Sequence, residues 1–352
     1  MTKFISAAEA AAMIEDRAHL GISAFGGWLG TDELYFALQK RYLSSGHPKG
    51  LSIYGGILPG NLSAEPVGMN ILSEPGLVSF STAAHVGMAP LFAEQICKGN
   101  IAAYALPLGV FAKLLRCSAS HEPGLITKVG IGSFCDPEKD NCRLNDVAEN
   151  FSSPVSEIFI DGERYLFYKS FKLDACFLRA SAADEDGNLS CADAPVEGDQ
   201  FAMAAAVHNN GGIVIAQVSE FVKRGAISPS AVTIHNSMVD FVVLASPESR
   251  APGYDMSQYG QPAKADSTVA GERKPPLTPR RICARRAAMQ LKPGNVVNLG
   301  IGIPDGVAAV AAEEGFDSNI VLSLESGPLG GVPVGGVGFG ASNGAAAKYP
   351  LT

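Results

Sequence analysis

Short apolar runs of strand character recur along this chain, and each is followed by a turn and then by a stretch of helical pattern. Residues 20–24, 51–56 (LSIYGG), 77–82 (LVSFST), 101–107 (IAAYALP), 174–189, 211–218 (GGIVIAQV) and 240–246 (DFVVLAS) are the strand candidates. Helical patterns lie at 6–18, after residue 31 and over 197–209. Strands and helices alternating at this spacing predict an α/β fold, with a mostly parallel sheet covered by helices on both faces.

The first strand runs into the glycine loop FGGWLG (25–30), after which Thr31 is placed to cap a helix whose first turn holds Asp32 and Glu33. The alternation breaks over 135–165, where a polar stretch leads to a hairpin expected to turn at Asp161-Gly162. Residues 250–279 lose all hydrophobic period and are dense in Pro, Gly and charge, which reads as a linker. Helical patterning resumes at 280–291. A chain of 352 residues exceeds what one core normally supports. The reading is therefore a first domain over 1–249, a linker over 250–279 and a second domain over 280–352, the two being similar open α/β units and the second incomplete.

In the second domain, VVNLGIGIPDGVAAVAAEE (296–314) reads as a strand, a tight glycine turn and a helix opened by Pro304. A second β-branched run ends in the loop LESGPLGGVP (324–333). The two strand ends are expected side by side. Parallel α/β sheets take ligands at the carboxyl ends of adjacent strands, so both glycine loops and Glu325 would meet at one crevice, with Glu325 as candidate nucleophile. Gly300-x-Gly302 also suggests a dinucleotide fingerprint, but the third glycine would fall on Asp305, and Pro304 removes an N–H that a pyrophosphate would use. Spacing thus argues against NAD. The turn instead suits phosphate at the helix N-terminus, through Gly300, Gly302 and Pro304, or a purely structural connection.

A net charge of −8 argues against nucleic acid as partner. Seven cysteines form no metal-ligand spacing, and only Cys135 and Cys142 stand close enough in sequence to suggest redox chemistry. The six histidines are scattered, with His85 alone in a glycine-flanked loop. Asp184-Glu185-Asp186, within ADEDGNL, reads as a turn between strand and helix, and no metal site is expected. The chain has neither a leader of signal type nor an apolar stretch long enough for a membrane, which predicts a soluble cytoplasmic protein.

At the residues of both glycine loops the chain resembles the family I CoA-transferases, of the single-chain acyl-CoA:carboxylate type. The resemblance runs through FGGWLGTDELYFALQKRYLSSGHPKGLSIYGG (25–56), ITKVGIGSFCDP (126–137), IDGERYLFYKSF (160–171), ADEDGNL (183–189), GGIVIAQV (211–218), NLGIGIPDGVA (298–308) and ESGPLGGVP (325–333). It implies that Glu325 is the covalent nucleophile, that Gly327, Gly330 and Gly331 shape its loop, and that Gly26 and Gly27 face it from the first domain. It also implies coenzyme A as substrate with no tightly bound cofactor, short-chain acyl-CoA and small carboxylic acids as partners, and a homo-oligomer. In ALPLGVF (105–111) the family usually carries glutamine where Leu108 stands, reaching the thioester oxygen; leucine cannot donate, which implies a slower enzyme or a shifted acyl preference. The family's second domain continues past the position of Thr352, so a companion chain completing that domain is one expected partner. A catalytically impaired relative that acts as an acyl-CoA-binding or regulatory protein is the alternative reading.

Overall fold

A computed structural model of the protein describes residues 3–192, 194, 198–250, 276–300, 302–304, 306–315 and 319–323. The elements run β1 (Lys3–Phe4), α1 (Ala7–Ala12), β2 (His19–Phe25), α2 (Asp32–Ser45), β3 (Leu51–Ile57), β4 (Val78–His85), α3 (Pro90–Cys97), β5 (Ala102–Ala105), α4 (Leu108–Ala119) and β6 (Gly124–Thr127). There follow β7 (Val155–Ile160), β8 (Glu163–Lys169), β9 (Ala175–Asp184), β10 (Leu189–Ser190), α5 (Gln200–Asn209), β11 (Ile213–Val222), β12 (Phe241–Leu244) and α6 (Pro247–Arg250). The last elements are α7 (Pro279–Ala288), β13 (Val296–Asn298), α8 (Gly306–Glu314) and β14 (Val321–Ser323). The chain divides into two compact units, Met1–Pro252 and Gly253–Thr352.

In the first unit one sheet runs β1-β12-β11-β9-β2-β3-β4-β5, with all these neighbours parallel and β10 alone antiparallel, on β9. The fold is α/β with a mostly parallel sheet, as the alternation predicts. Burial explains why the strands read as continuous apolar runs: all ten residues of β9 are buried, because both faces are covered. Cys176, Leu178 and Ala180 share a core with Met203 and Val207 of α5. Phe177 turns to the opposite face, where its ring centroid lies 6.3 Å from that of Tyr35 on α2. Among the described residues, no helix is long and apolar enough to cross a membrane.

Several local expectations change. The first helix stops at Ala12 rather than running to residue 18, since the chain turns at Arg17, whose φ is 63°, to enter β2. Thr31 occupies the N-cap position of α2, but its buried side chain makes no capping bond. ADEDGNL does not lead from strand to helix. It closes a hairpin between β9 and β10, in which the Asp184 carboxylate accepts the N–H groups of Asp186 and Asn188 at 3.0 and 2.9 Å. These bonds hold the turn, and the Asp186 carboxylate pairs separately with Arg224.

The expected hairpin at Asp161-Gly162 is present. Both residues have positive φ, 51° and 81°, as a two-residue hairpin loop requires, and it joins β7 to β8 in a three-stranded antiparallel sheet with β6. Arg164 on β8 grips Asp136 through two bonds of 2.6 and 3.0 Å and also binds Glu157. The guanidinium holds the Asp136 carboxyl well below the usual carboxylate range. Cys135 and Cys142 are both free and buried.

In the second unit β13 and β14 pair in parallel, in register Val296↔Val321, Val297↔Leu322 and Asn298↔Ser323. Helices α7 and α8 are clipped together by Arg281 on Glu313 and Arg285 on Glu314. Gly306 permits their close approach, because a Cβ there would stand 3.2 Å from that of Ala284. Helix α8 begins at Gly306, and Pro304 precedes it, its carbonyl accepting from the Val307 N–H at 3.0 Å. Residues 251–275, most of the expected linker, and Glu325, Gly327, Gly330 and Gly331 lie outside the described residues.

Candidate active site

The carboxyl ends of β2, β3 and β4 in the first unit carry three loops that are tied to one another through their backbones. Gly26, with φ of 60°, donates its N–H to the Ile57 carbonyl at 3.3 Å and accepts from the Gly60 N–H at 3.1 Å. Leu58 donates to the His85 carbonyl at 3.0 Å, and Leu62 to that of Met88 at 2.9 Å. Gly60 is compelled by this crossing: a Cβ there would stand 2.1 Å from the Met88 carbonyl oxygen, where no side chain fits. With the Gly26 N–H committed to Ile57, the two loop glycines differ in what they offer. The Gly27 N–H has no acceptor among the described residues.

Asp32 fastens this crest from beneath. One of its carboxylate oxygens accepts the Gly68 N–H at 3.2 Å, and burial pushes its pKa up to about 6 against the opposing pull of that bond and of Arg179. A carboxyl whose folded pKa lies above its unfolded value of about 3.9 stabilises the fold fully below that value, and this contribution is lost as pH rises through about 6. A shift of this size corresponds to about 3 kcal/mol. Asp32→Asn should therefore gain stability relative to the unsubstituted protein between about pH 4 and pH 7. Urea unfolding of both proteins across that range checks this; a stability difference that stays constant with pH would mean that Asp32 titrates as an ordinary surface acid.

Next to the crest stand the N-termini of α4 and α5. Leu108, the first residue of α4, is 39% exposed. Gly56 near the end of β3 lets these elements pack closely: a Cβ there would lie 3.2 Å from Leu108 Cδ1, 3.8 Å from Asp199 Oδ2 and 3.9 Å from Phe111 Cδ1. Burial pushes the Asp199 carboxyl up, while Arg116 draws it back. The preceding Gly198 packs on Leu29 of the FGGWLG loop, where a Cβ would stand 2.8 Å from Leu29 Cδ1. The first unit thus brings Leu108 and Asp199 together beside Gly56, at the carboxyl end of β3. Gly56, Gly60 and Asp199 were not among the residues singled out from sequence. For the two glycines a signal existed, since glycine inside or just beyond a strand marks close backbone approach.

The second unit presents its own strand ends. Asn298 Nδ2 donates to Ser323 Oγ at 2.9 Å, and Leu299 donates its N–H to the Ser323 carbonyl at 3.3 Å, which fixes the two carboxyl ends side by side. Gly302 takes φ of 104°, so the turn before α8 needs glycine there. Around both Gly300 and Gly302 no described atom would meet a Cβ within 4 Å. Among the described residues, no group of His, Cys, Asp and Glu is arranged to hold a metal ion.

The family model for coenzyme A transferase matches residues 4–245. Caffeate CoA-transferase of Acetobacterium woodii is 39% identical over 99% of this chain and 66% of its own length. Acetate CoA-transferase YdiF of Escherichia coli K12 is 35% identical over 96% of this chain and 63% of its own. The chain therefore spans just under two thirds of these curated relatives. The crystal structure of the acyl-CoA transferase YdiF from E. coli O157:H7, solved as a thioester complex with CoA, superposes with a TM-score of 0.81 at 32% identity, over 96% of this chain and 64% of the other.

Proposed function

The chain belongs to the coenzyme A transferase family, and from that membership we propose that it moves CoA between a short-chain acyl-CoA and a free carboxylate, with Glu325 as the covalent nucleophile. The observation that carries the reading is the parallel pairing of β13 with β14, which sets the open glycine turn at Gly300 and Gly302 beside the strand whose last residue, Ser323, precedes Glu325 by two positions. Adjacent carboxyl ends of parallel strands are where α/β proteins take their ligands. The thioester complex with CoA seen in the related acyl-CoA transferase supports the same chemistry here.

The reaction exchanges a thioester for a carboxylate without hydrolysis, so the acyl activation has to be kept in a covalent bond. The Glu325 carboxylate attacks the thioester carbonyl, the C–S bond breaks, and a mixed anhydride and CoA thiolate result. The thiolate then attacks the glutamyl carbonyl, releasing the first acid and leaving a glutamyl-CoA thioester. An acceptor carboxylate runs the same steps in reverse. Each attack passes through an oxyanion, for which backbone N–H groups such as that of Gly27, and those of a loop shaped by Gly327, Gly330 and Gly331, are suitable donors. Gly300, Gly302 and Pro304 would take the phosphate or pantetheine part of CoA at the start of α8. Leu108 cannot donate and contributes apolar surface beside the thioester. A cytoplasmic homo-oligomer, or assembly with a companion chain, belongs to the same proposal.

Initial rates of the native protein, measured while acetyl-CoA and a second acid are both varied, test this reading. A double displacement through the enzyme gives parallel double-reciprocal lines and no net release of free thiol. Intersecting lines, or thiol release in step with acyl loss, would mean direct transfer or hydrolysis.

A further inference from the structure

Large apolar side chains stand exposed more densely over residues 126–160 than elsewhere among the described residues, with Ile126, Val129, Ile131, Phe134, Phe159 and Ile160 among them. A protein that stays alone in water rarely keeps such a surface. The segment ends in β7, an outer strand of the small antiparallel sheet, whose order is β6-β8-β7. Its pairing phase follows from two fixed points: the Lys169 N–H donates to the Pro154 carbonyl at 2.9 Å, and Ile160 faces Glu163 across the hairpin loop. Ser156, Ile158 and Ile160 therefore bond to β8, while Glu157 and Phe159 turn their N–H and carbonyl groups outward. Among the described residues nothing meets those groups. Val155 has the same phase but is closed off, its N–H donating to Ser153 Oγ at 3.2 Å and its carbonyl accepting from that hydroxyl at 2.7 Å. At the other end Asp161, with φ of 51°, leaves the extended path. In between, VSEIFI contains neither the lysine nor the proline that commonly guards a free edge.

We propose that the β7 edge is an interface between two copies of this chain, paired antiparallel about a two-fold axis at Ile158 so that the two small sheets become one. The inference rests on the homo-oligomer of the proposed function and names its surface. In this register Glu157 lies against Phe159 of the second copy, and Phe159 against its Glu157, so every open backbone group finds a partner. A shift by two residues in one direction would set Glu157 against its own counterpart, like charge on like, and leave Phe159 against the closed Val155. Charge suits the favoured register: Arg164 binds Glu157, so the edge adds no uncompensated acid to a chain of net charge −8, and the second copy brings an apolar ring to that carboxylate. On the other face Ile158 meets Ile158 of the second copy. A long extended peptide gains nothing more from this edge, because Ser153 and Asp161 close both its ends. A second copy matches its length.

Sedimentation equilibrium of the native protein and of Phe159→Pro and Ile158→Lys tests this, together with oxidative cross-linking. The Phe159 N–H does not bond to β8, so proline there keeps the hairpin and removes only an outward donor. Ile158→Lys sets two like charges against each other at the axis. Each variant should raise the dissociation constant of this contact at least about tenfold. For cross-linking, Cys97→Ser and Cys283→Ser first remove the exposed thiols. Added to these, Ile158→Cys should join two chains under oxidised glutathione, because directly opposed residues of a non-hydrogen-bonded pair lie about 4.5 Å apart at Cα, a span a disulfide fits. Ser156→Cys should not, since its counterpart lies several residues along the strand. A native protein that sediments as a monomer, as it would if another segment or protein covered the edge, overturns the proposal. So do variants that keep the native mass, or cross-linking at Ser156→Cys as readily as at Ile158→Cys. Assembly is read by mass and the transferase reading by CoA exchange, so failure of one is distinguishable from failure of the other.

Discussion

Replacing Glu325 by glutamine is expected to lower CoA exchange by on the order of ten-thousandfold or more, with the protein still folded. Glutamine has nearly the volume of glutamate, so the substitution costs little in packing. Its amide is a poor nucleophile and cannot form the mixed anhydride, so both halves of the reaction stop. Exchange of labelled acetate into acetyl-CoA measures the loss, and urea unfolding shows that the variant retains its structure. The preparation has to be checked by mass for deamidation, which would regenerate glutamate. Residual exchange above about a tenth of the original rate in a deamidation-free sample would remove Glu325 from the chemistry.

The second large effect is structural and concerns the crest of the first sheet. Gly60→Ala forces a methyl group to within 2.1 Å of the Met88 carbonyl oxygen and 2.5 Å of its carbon, both of them backbone atoms that cannot rotate away. The loops after β3 and β4 must then separate, which strains the bonds from Gly60 to Gly26 and from Leu62 to Met88. The expected loss is about 3 kcal/mol, or on the order of 10 °C in Tm for a unit of this size. Gly109→Ala serves as the comparison. Gly109 lies in α4 with no positive φ and nothing within 4 Å of its missing Cβ, so alanine should stabilise by up to about 1 kcal/mol. Thermal unfolding of the two variants decides the matter. Equal stabilities would show that the crossing at Gly60 can open without cost.

The sheet was legible in the sequence because a parallel strand covered on both faces leaves a plain trace: in β3, six of seven residues, Leu51 to Gly56, are buried, and the run LSIYGG shows it. Asp161-Gly162 was legible for another reason, since a two-residue hairpin needs positive φ and few residues supply it. The turn at 184–188 is not legible as a hairpin because β10 is only Leu189–Ser190, too short to display any period, so the sequence reads as running straight to the next helix. The type and position of Thr31 suggest a side-chain cap. Packing overrode that, since its hydroxyl is buried under the crest. Of the candidate site, the glycine loops and the pairing of β13 with β14 could be anticipated from local pattern. The approach of Asp199 to Gly56 and Leu108 could not, because these residues are distant in sequence and brought together only by the packing of α4 and α5 on the sheet.

Peptide mass mapping of the native protein after incubation with acetyl-CoA, in the absence of any acceptor acid, tests the covalent role of Glu325 most directly. The account predicts that CoA is attached to the peptide containing Glu325, that adding an acceptor carboxylate discharges it, and that Glu325→Gln never acquires it. An adduct on one of the seven cysteines, or full acyl exchange by a protein that carries no adduct at any time, would contradict it.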